Sequence, residues 1–593
     1  MKAMEKWFVE TKRADFDRWA AEFHISPILA RILRNRNLTE EPEVRKFLYG
    51  TLEDCHSPWL LKDVDKAVAL ITEMIEGGGL IRVIGDYDVD GICSAYILTR
   101  GLQILGGRAD TAIPHRIHDG YGLNRNLIEE AREDGIRMIV TCDNGIAAAE
   151  QIELANRYGI QVIVTDHHEV FCVTDPQDGS RREVLPPARA LVDPKQAACT
   201  YPFKDICGAG VAYKLIQALA ERTGSAALKE AEEEFLEFVA FATVCDVMEL
   251  RDENRIFVKE GLKRLRRTRN QGLLALMEVN QVEPAKLNAY HLGFVLGPCL
   301  NASGRLDTAR RALELLQGRT RAEAVEAAGE LKGLNESRKE LTKQGVEEAI
   351  RLIEEKGMDR DQVMVVFLPE VHESLAGIIA GRVRERYNRP TFILTRGESG
   401  VKGSGRSIEG YHMQKAMAEV AHFFTNFGGH AMAGGLSMRE EDVEALRREL
   451  NARCRLTPED FAVKVRIDVP MPLRCGTEAL AEELELLQPF GVGNPAPLFA
   501  QKGLVFLSGV RMGANKNFAR YRVRTPEGAD VQLVYFGDVG AFDAFLDEKF
   551  GAGSAAALYE RQAAYRLSVA YRLERNTYRG MTEVRYVMQH YRE

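Results

Sequence analysis

Three short apolar runs in this chain each end in residues able to bind a cation. LIRVIG (80–85) leads into Asp86, Asp88 and Asp90 of the DYDVDG stretch, IRMIVTC (136–142) into Asp143, and IQVIVT (160–165) into Asp166, His167 and His168. A further acid, Asp246, follows the apolar helical run FVAFATVC (238–245). Taken singly, an Asp-x-Asp after a strand is most often a turn or a helix cap, and a His-His a packed pair. Three such clusters at the ends of three successive runs are harder to explain that way. So many acids in one place repel one another and are costly to desolvate unless a cation neutralises them. Mixed carboxylate and imidazole donors suit Mn²⁺, with Mg²⁺ tolerated. The ten cysteines contain no C-x-x-C pair, which argues against a thiolate zinc site.

The elements that position these residues follow from the alternation of pattern. Short apolar runs separated by helical stretches (93–105, then EQIELANRYG) imply parallel strands joined by crossovers, hence an α/β sheet. In such a sheet the carboxyl ends of the strands share one edge, where ligands bind. All three clusters are therefore expected in one crevice, with Asp246 approaching the same edge. Residues 1–50 read as an N-terminal helical extension and 51–308 as the domain carrying the clusters. Residues 309–357 are long, charged and helically spaced (Leu331, Leu334, Leu341, then Val346, Ile350, Ile353), which predicts connecting helices. A smaller α/β unit starts at QVMVVFL and occupies 358–462. Residues 463–593 comprise a linker helix and five short strands, a small β-barrel of OB type.

The length of 593 residues exceeds one hydrophobic core, and 45% hydrophobic with 28% charged residues fits a folded soluble protein. No apolar run is long enough to cross a bilayer, and MKAMEKWFVETKR has no apolar signal core, so a cytoplasmic protein with reduced thiols is expected. Cys142 and Cys245, lying in apolar runs, are expected to be buried. The formal net charge of −8 argues against a nucleic-acid partner at face value, but local basic stripes decide phosphate affinity. One such stripe is NFARYRVRT, where strand alternation puts Phe518, Arg520, Arg522 and Arg524 on one face and Tyr521 and Val523 on the other. KRLRRTR (263–269) is another basic run, expected to decorate a helix.

GDYDVDG, TCDNG, TDHHE and VCDVMEL resemble the four ligand motifs of the DHH phosphoesterases. LNASGRL (300–306) is similar to a further motif of the RecJ-type single-strand-specific exonuclease branch. HESLAGIIAGR, GSGRS and FGGHAMAGG resemble the associated DHHA1 domain, and PFGVGNPAPLF with the barrel-like tail completes the arrangement. Where the related pyrophosphatases carry a His before the first motif's acids this chain has Ile84, and GGHAMAGG differs from the usual motif by one Ala-to-Gly change.

The resemblance implies a metal-dependent exonuclease that degrades single-stranded DNA 5′ to 3′ to mononucleotides in repair and recombination. It implies two ions: Asp88 and Asp143 on one, Asp90, Asp143, His167 and Asp246 on the other, with Asp143 bridging and Asp86 a supporting acid. Such ions, about 3.5–4 Å apart, can clamp a phosphodiester. His168 is left free to bond the scissile phosphate. Arg116, Asn301, Arg305, Ser404 and Arg406 surround the cleft as candidates for gripping a 5′ phosphate. His372 and His430 are read as structural or strand-contacting residues, not ligands. A monomer is expected, with a helicase and a single-strand-binding protein as possible partners and no membrane association. The competing readings are a DHH-DHHA1 phosphoesterase of short RNAs or cyclic dinucleotides, and a non-catalytic replication scaffold of the same fold.

Overall fold

The computed structural model describes residues 5–116, 119–174, 180–318, 320–397, 400–578 and 581–593. By packing, residues 55–463 form one unit, while residues 6–54 and 464–593 form another.

The first unit contains a five-stranded, all-parallel sheet in the spatial order Arg108–Ala112, Leu80–Ile84, Met138–Cys142, Gln161–Thr165, Ala190–Val192. The three expected strands are its centre. Their residues are buried on both faces, which is why they read as continuous apolar runs rather than alternating ones. Helices Val89–Ile104, Gly208–Thr223 and Ala226–Cys245 pack together in this unit. The connecting region is an eight-residue helix, Arg310–Gln317, and a 35-residue helix, Arg321–Glu355, as the spacing predicts. The long helix packs on Gln271–Val279 near its start and on Ala376–Tyr387 further along.

The smaller sheet has the order Phe424–Gly429, Ala433–Met438, Gly400–Arg406, Thr391–Gly397, Met364–Phe367. Its strands are antiparallel except for the last pair. One face buries Phe392, Leu394, Met413 and Leu436, and the other buries Ile393, Val366 and Ile379. The basic run at 263–269 covers the end of the helix Asp252–Leu265, where Lys263 and Arg264 pair with Glu260 and Arg266 donates to the Leu287 carbonyl.

The second unit holds a closed five-strand barrel. Phe499–Met512 pairs with both Phe518–Arg524 and Tyr565–Tyr578, and the circuit runs through Asp530–Tyr535 and Met581–Arg592. The helices Phe16–Phe23, Pro27–Asn35 and Glu41–Tyr49 bury Phe23, Leu29, Leu33 and Phe47 in the cluster that also holds Phe499, Leu504 and Tyr521. Arg36 makes this attachment specific. Its guanidinium bonds Asn494 Oδ1 (2.9 Å), Asp468 Oδ1 (2.9 Å) and the Pro495 carbonyl (2.6 Å). In the strand Phe518–Arg524, Arg520, Arg522 and Arg524 are exposed while Ala519, Tyr521 and Val523 are buried, the expected alternation. Among the described residues no helix is long and apolar enough to cross a membrane.

Candidate metal centre

The parallel sheet delivers its strand ends to one edge, and the acids collect there. Asp86, Asp90 and Asp143 are at most 3% exposed. Asp88 caps the helix Val89–Ile104, its Oδ1 accepting from the amides of Asp90 (2.9 Å) and Gly91 (3.1 Å). The capping geometry is thus present together with the clustering. Gly91 is required by close approach, since an added Cβ would lie 2.4 Å from Asp86 backbone atoms.

Asp90 is held from a second direction. Both its oxygens accept backbone amides at the start of the helix Gly208–Thr223, from Gly208 (2.6 Å) and Ala209 (2.7 Å). Asp143 has φ of 59°, in the left-handed region that Asp tolerates better than most residues. Its amide donates to the Thr165 carbonyl (3.1 Å), and Tyr121 Oη donates to its carbonyl (2.8 Å).

His167 sits among the carboxylates. Its Nε2 is 2.9 Å from Asp143 Oδ1, 3.5 Å from Asp90 Oδ2 and 3.9 Å from Asp246 Oδ2. Ligand atoms within 4.8 Å of one another form three groups: Asp86, Asp88 and Asp143; Asp90, His167 and Asp246; and Asp143, His167 and His168. The first two adjoin across the Asp143–His167 contact.

The electrostatics have the character of a cation site. Burial first, then the neighbouring acids, pushes Asp86 up to about 8, Asp90 to about 7 and Asp246 to about 8, and drives Asp143 well above the usual carboxylate range. Asp86 Oδ1 is buried with no hydrogen-bond partner. Burial pushes His167 down to about 4, leaving the neutral imidazole that a metal ligand needs. The donor set, which includes a carboxylate with a buried oxygen lacking a hydrogen-bond partner, fits divalent cations.

His168 differs. Burial opposes its charge, but the 2.7 Å contact with Asp166 and the surrounding acids outweigh it and push the imidazole up to about 9. Asp166 spends its oxygens on His168 and on the amides of Ile146 (2.9 Å) and His167 (2.8 Å), so it orients His168.

Family models match in the order of the architecture: DHH family, N-terminal domain, over residues 80–243; DHHA1 domain over 360–456; and RecJ OB domain over 467–590. The chain is 34% identical to the single-stranded-DNA-specific exonuclease RecJ of Escherichia coli, covering 83% of this chain and 86% of that one. It belongs to the RecJ family. The Bacillus subtilis RecJ is 35% identical over 89% of this chain, which spans 65% of that relative's length. Among solved structures, RecJ from Thermus thermophilus in complex with Mn²⁺ superposes with a TM-score of 0.81 at 26% identity, covering all of this chain and 80% of that one. An exonuclease RecJ bound to manganese gives 0.57 at 32% identity, covering 68% of this chain and 98% of that one.

The remaining sequence candidates divide into two sets. Beside the RecJ-family centre, Arg116 lies over the Tyr87 ring (4.5 Å) and Asn301 Oδ1 accepts the Val89 amide (3.1 Å). Arg305 donates to the Ser374 carbonyl (2.8 Å), and Ser374 Oγ lies 2.7 Å from His372 Nδ1. Arg406 donates to Ser404 Oγ (3.0 Å). Burial pushes Arg305 down to about 10, with Arg116 and Arg338 adding repulsion. Arg520 and Arg522 belong to the barrel unit. His430 is tied by its backbone to Ala433 and Gln414.

Two contributors escaped the sequence reading. Asp193 follows a fourth strand end and is fully buried, and burial with Asp166 nearby pushes it up to about 8. Its three-residue strand was too short to stand out. The Gly208–Ala209 amides that clamp Asp90 come from ICGAGVAYKL, whose glycines were the available signal. Cys142 is buried as expected, whereas Cys245 is only partly so, because it ends its helix beside the partly open Asp246.

Proposed function

We propose that the chain is a Mn²⁺- or Mg²⁺-dependent exonuclease that hydrolyses single-stranded DNA from its 5′ end to mononucleotides, acting in repair and recombination. The observation that carries this reading is the pair of adjoining ligand groups joined at Asp143 and His167 on one sheet edge. Asp86, Asp88 and Asp143 would hold one divalent ion, and Asp90, His167 and Asp246, with Asp143 between the two, the other. When bound, such ions supply an activated water and stabilise the leaving oxygen.

The chain's own residues do the rest. The Gly208 and Ala209 amides hold Asp90, and the Thr165 carbonyl with Tyr121 holds Asp143, so the ligand atoms are oriented before anything binds. His168, carrying its proton at neutral pH and with a side chain 41% exposed, holds Asp166 through Nδ1 and lies 3.1 Å from Tyr121 Oη through Nε2. That Nε2–H is shared between Tyr121 and a non-bridging oxygen of the scissile phosphate. Arg116, Arg305 and Arg406 have no carboxylate partner among the described residues. With Ser404 they hold the terminal phosphate. The exposed Arg520 and Arg522 track the trailing backbone. The enzyme works as a cytoplasmic monomer on strands supplied by a helicase and kept open by a single-strand-binding protein.

Digestion of 5′- and 3′-labelled oligonucleotides, DNA and RNA, with Mn²⁺, Mg²⁺ or chelator tests this. Mononucleotides should appear first from the 5′ label of single-stranded DNA, and only with metal. A blunt duplex cut as fast as a single strand, or release from the 3′ end, would overturn it.

A further inference from the structure

We propose that Tyr290 and Phe294 form a base-stacking platform at the rim of the metal centre, on which nucleobases of the incoming single strand lie. The inference builds on the exonuclease reading above and adds a subsite to it.

Both rings are conspicuously bare. Tyr290 is 63% exposed and Phe294 70% exposed. Their centroids are 5.1 Å apart with an interplanar angle of 25°, so they present a near-parallel pair. Burial cannot explain their orientation, since Leu292 and Leu296 of the same segment are fully buried while the rings face out. The backbone here is unusual as well. Residues Leu292–Leu296 form a π-helical turn between the short helix Ala289–His291 and the helix Gly297–Leu306. Such turns are costly in an otherwise α-helical run and concentrate at functional sites.

The segment is fastened to the centre at two points. Cys245 Sγ donates to the Leu292 carbonyl (3.5 Å), and a Cβ on Gly293 would meet Val244 at 3.3 Å. The turn carrying the rings therefore lies against the last residues before Asp246. Further along the same helical run, Asn301 accepts the amide of Val89, the residue after Asp88. From Phe294 to Asn301 the helical run advances about 10 Å, a span of only a few nucleotides. Val247, itself 63% exposed, follows Asp246 in the chain.

The chemistry selects the occupant. Two rings are far too small a patch for a stable protein interface, which needs on the order of 800 Å² per partner. Every nucleobase has a π-face, so stacking on such rings is indifferent to sequence, as a strand-degrading enzyme requires. A base in a duplex is already stacked and offers the rings nothing.

The test is a Tyr290→Ala/Phe294→Ala double variant of the full chain, with Tyr290→Phe and Phe294→Tyr as ring-preserving controls. Steady-state cleavage of a twenty-nucleotide 5′-phosphorylated strand should show KM raised on the order of tenfold or more with little change in kcat, and the ring-preserving variants should restore it. In a non-cleaving Asp143→Asn background, 2-aminopurine placed at the second to sixth nucleotides should be quenched on binding at one or two of those positions. That quenching should vanish in the double variant. Unchanged KM and quenching would overturn the platform, as would an equal loss on a dinucleotide substrate too short to reach the rings. A wild-type chain that fails to cut the long strand would instead defeat the exonuclease reading itself.

Discussion

Gly208 is the position where one added methyl group should do most damage for least chemical change. An Ala Cβ there would lie 2.7 Å from Asp143 Cβ, 3.0 Å from its Cα and 3.1 Å from Asp90 Oδ2. Ordinary carbon contacts are about 3.5–4.0 Å, so about 1 Å must be found. Asp143 cannot supply it freely, being in the left-handed region with its amide and carbonyl both bonded. If the helix retreats instead, the 2.6 and 2.7 Å bonds that clamp Asp90 are lost. Either way a ligand moves by about 1 Å, which costs on the order of 100-fold in rate, while overpacking costs about 1–3 kcal/mol of stability. Gly208→Ala should therefore melt a few degrees lower with native circular dichroism, lose on the order of 100-fold in kcat, and bind Mn²⁺ more weakly by calorimetry. Gly210→Ala is the control, because its Cβ meets nothing closer than 3.4 Å. Activity of Gly208→Ala within threefold of wild type would refute the reasoning.

Asp143→Asn should abolish Mn²⁺-dependent release of nucleotides while preserving the fold, and retained turnover with excess Mn²⁺ would count against it. The metal-free protein should be pH-sensitive: Asp86, Asp90 and Asp246 have folded-state values raised to about 7–8, so the folded state binds more protons than the unfolded chain. Stability should then fall as pH rises from the unfolded value near 4 through about 8. The melting-temperature gain on adding Mn²⁺ should grow between pH 6 and pH 8, and a gain independent of pH would contradict it. Val247 is a β-branched residue at φ 60°, exposed and adjoining Asp246; Val247→Asn should stabilise the protein by about 1 kcal/mol in a denaturant melt by relieving that strain. Arg36→Ala strands the buried Asp468 and should cost about 3–5 kcal/mol in the unit of residues 6–54 and 464–593. A loss below 1 kcal/mol would mean that the ion pair is not what fastens those helices.

The candidate ligands were legible because they sit where local patterns end. A buried parallel strand is a continuous apolar run, its carboxyl end is marked by the first polar residue, and parallel geometry brings those ends to one edge. Asp86, Asp88, Asp90, Asp143, His167 and His168 could be grouped on that logic alone, and Asp246 by its place after an apolar helix. The exposed arginines of the strand Phe518–Arg524 were legible for a related reason, since a barrel strand with one buried face alternates with period two.

What tertiary structure alone decided is where distant segments meet. No local pattern says that the amides of Gly208 and Ala209 close on Asp90, 118 and 119 residues earlier, because a helix N-terminus binds an anion only if packing aims it there. The same holds for Asn301 on the Val89 amide and for the bare Tyr290–Phe294 pair, whose helical spacing is also compatible with burial. It holds again for residues 6–54, whose apolar faces show that they must be covered but not that the cover is the barrel unit. Sequence determined which side chains are the candidates for the chemistry, since that depends on residue type at the ends of short-range elements. Structure determined how rigidly they are held and what lies beside them, since those contacts join residues hundreds of positions apart.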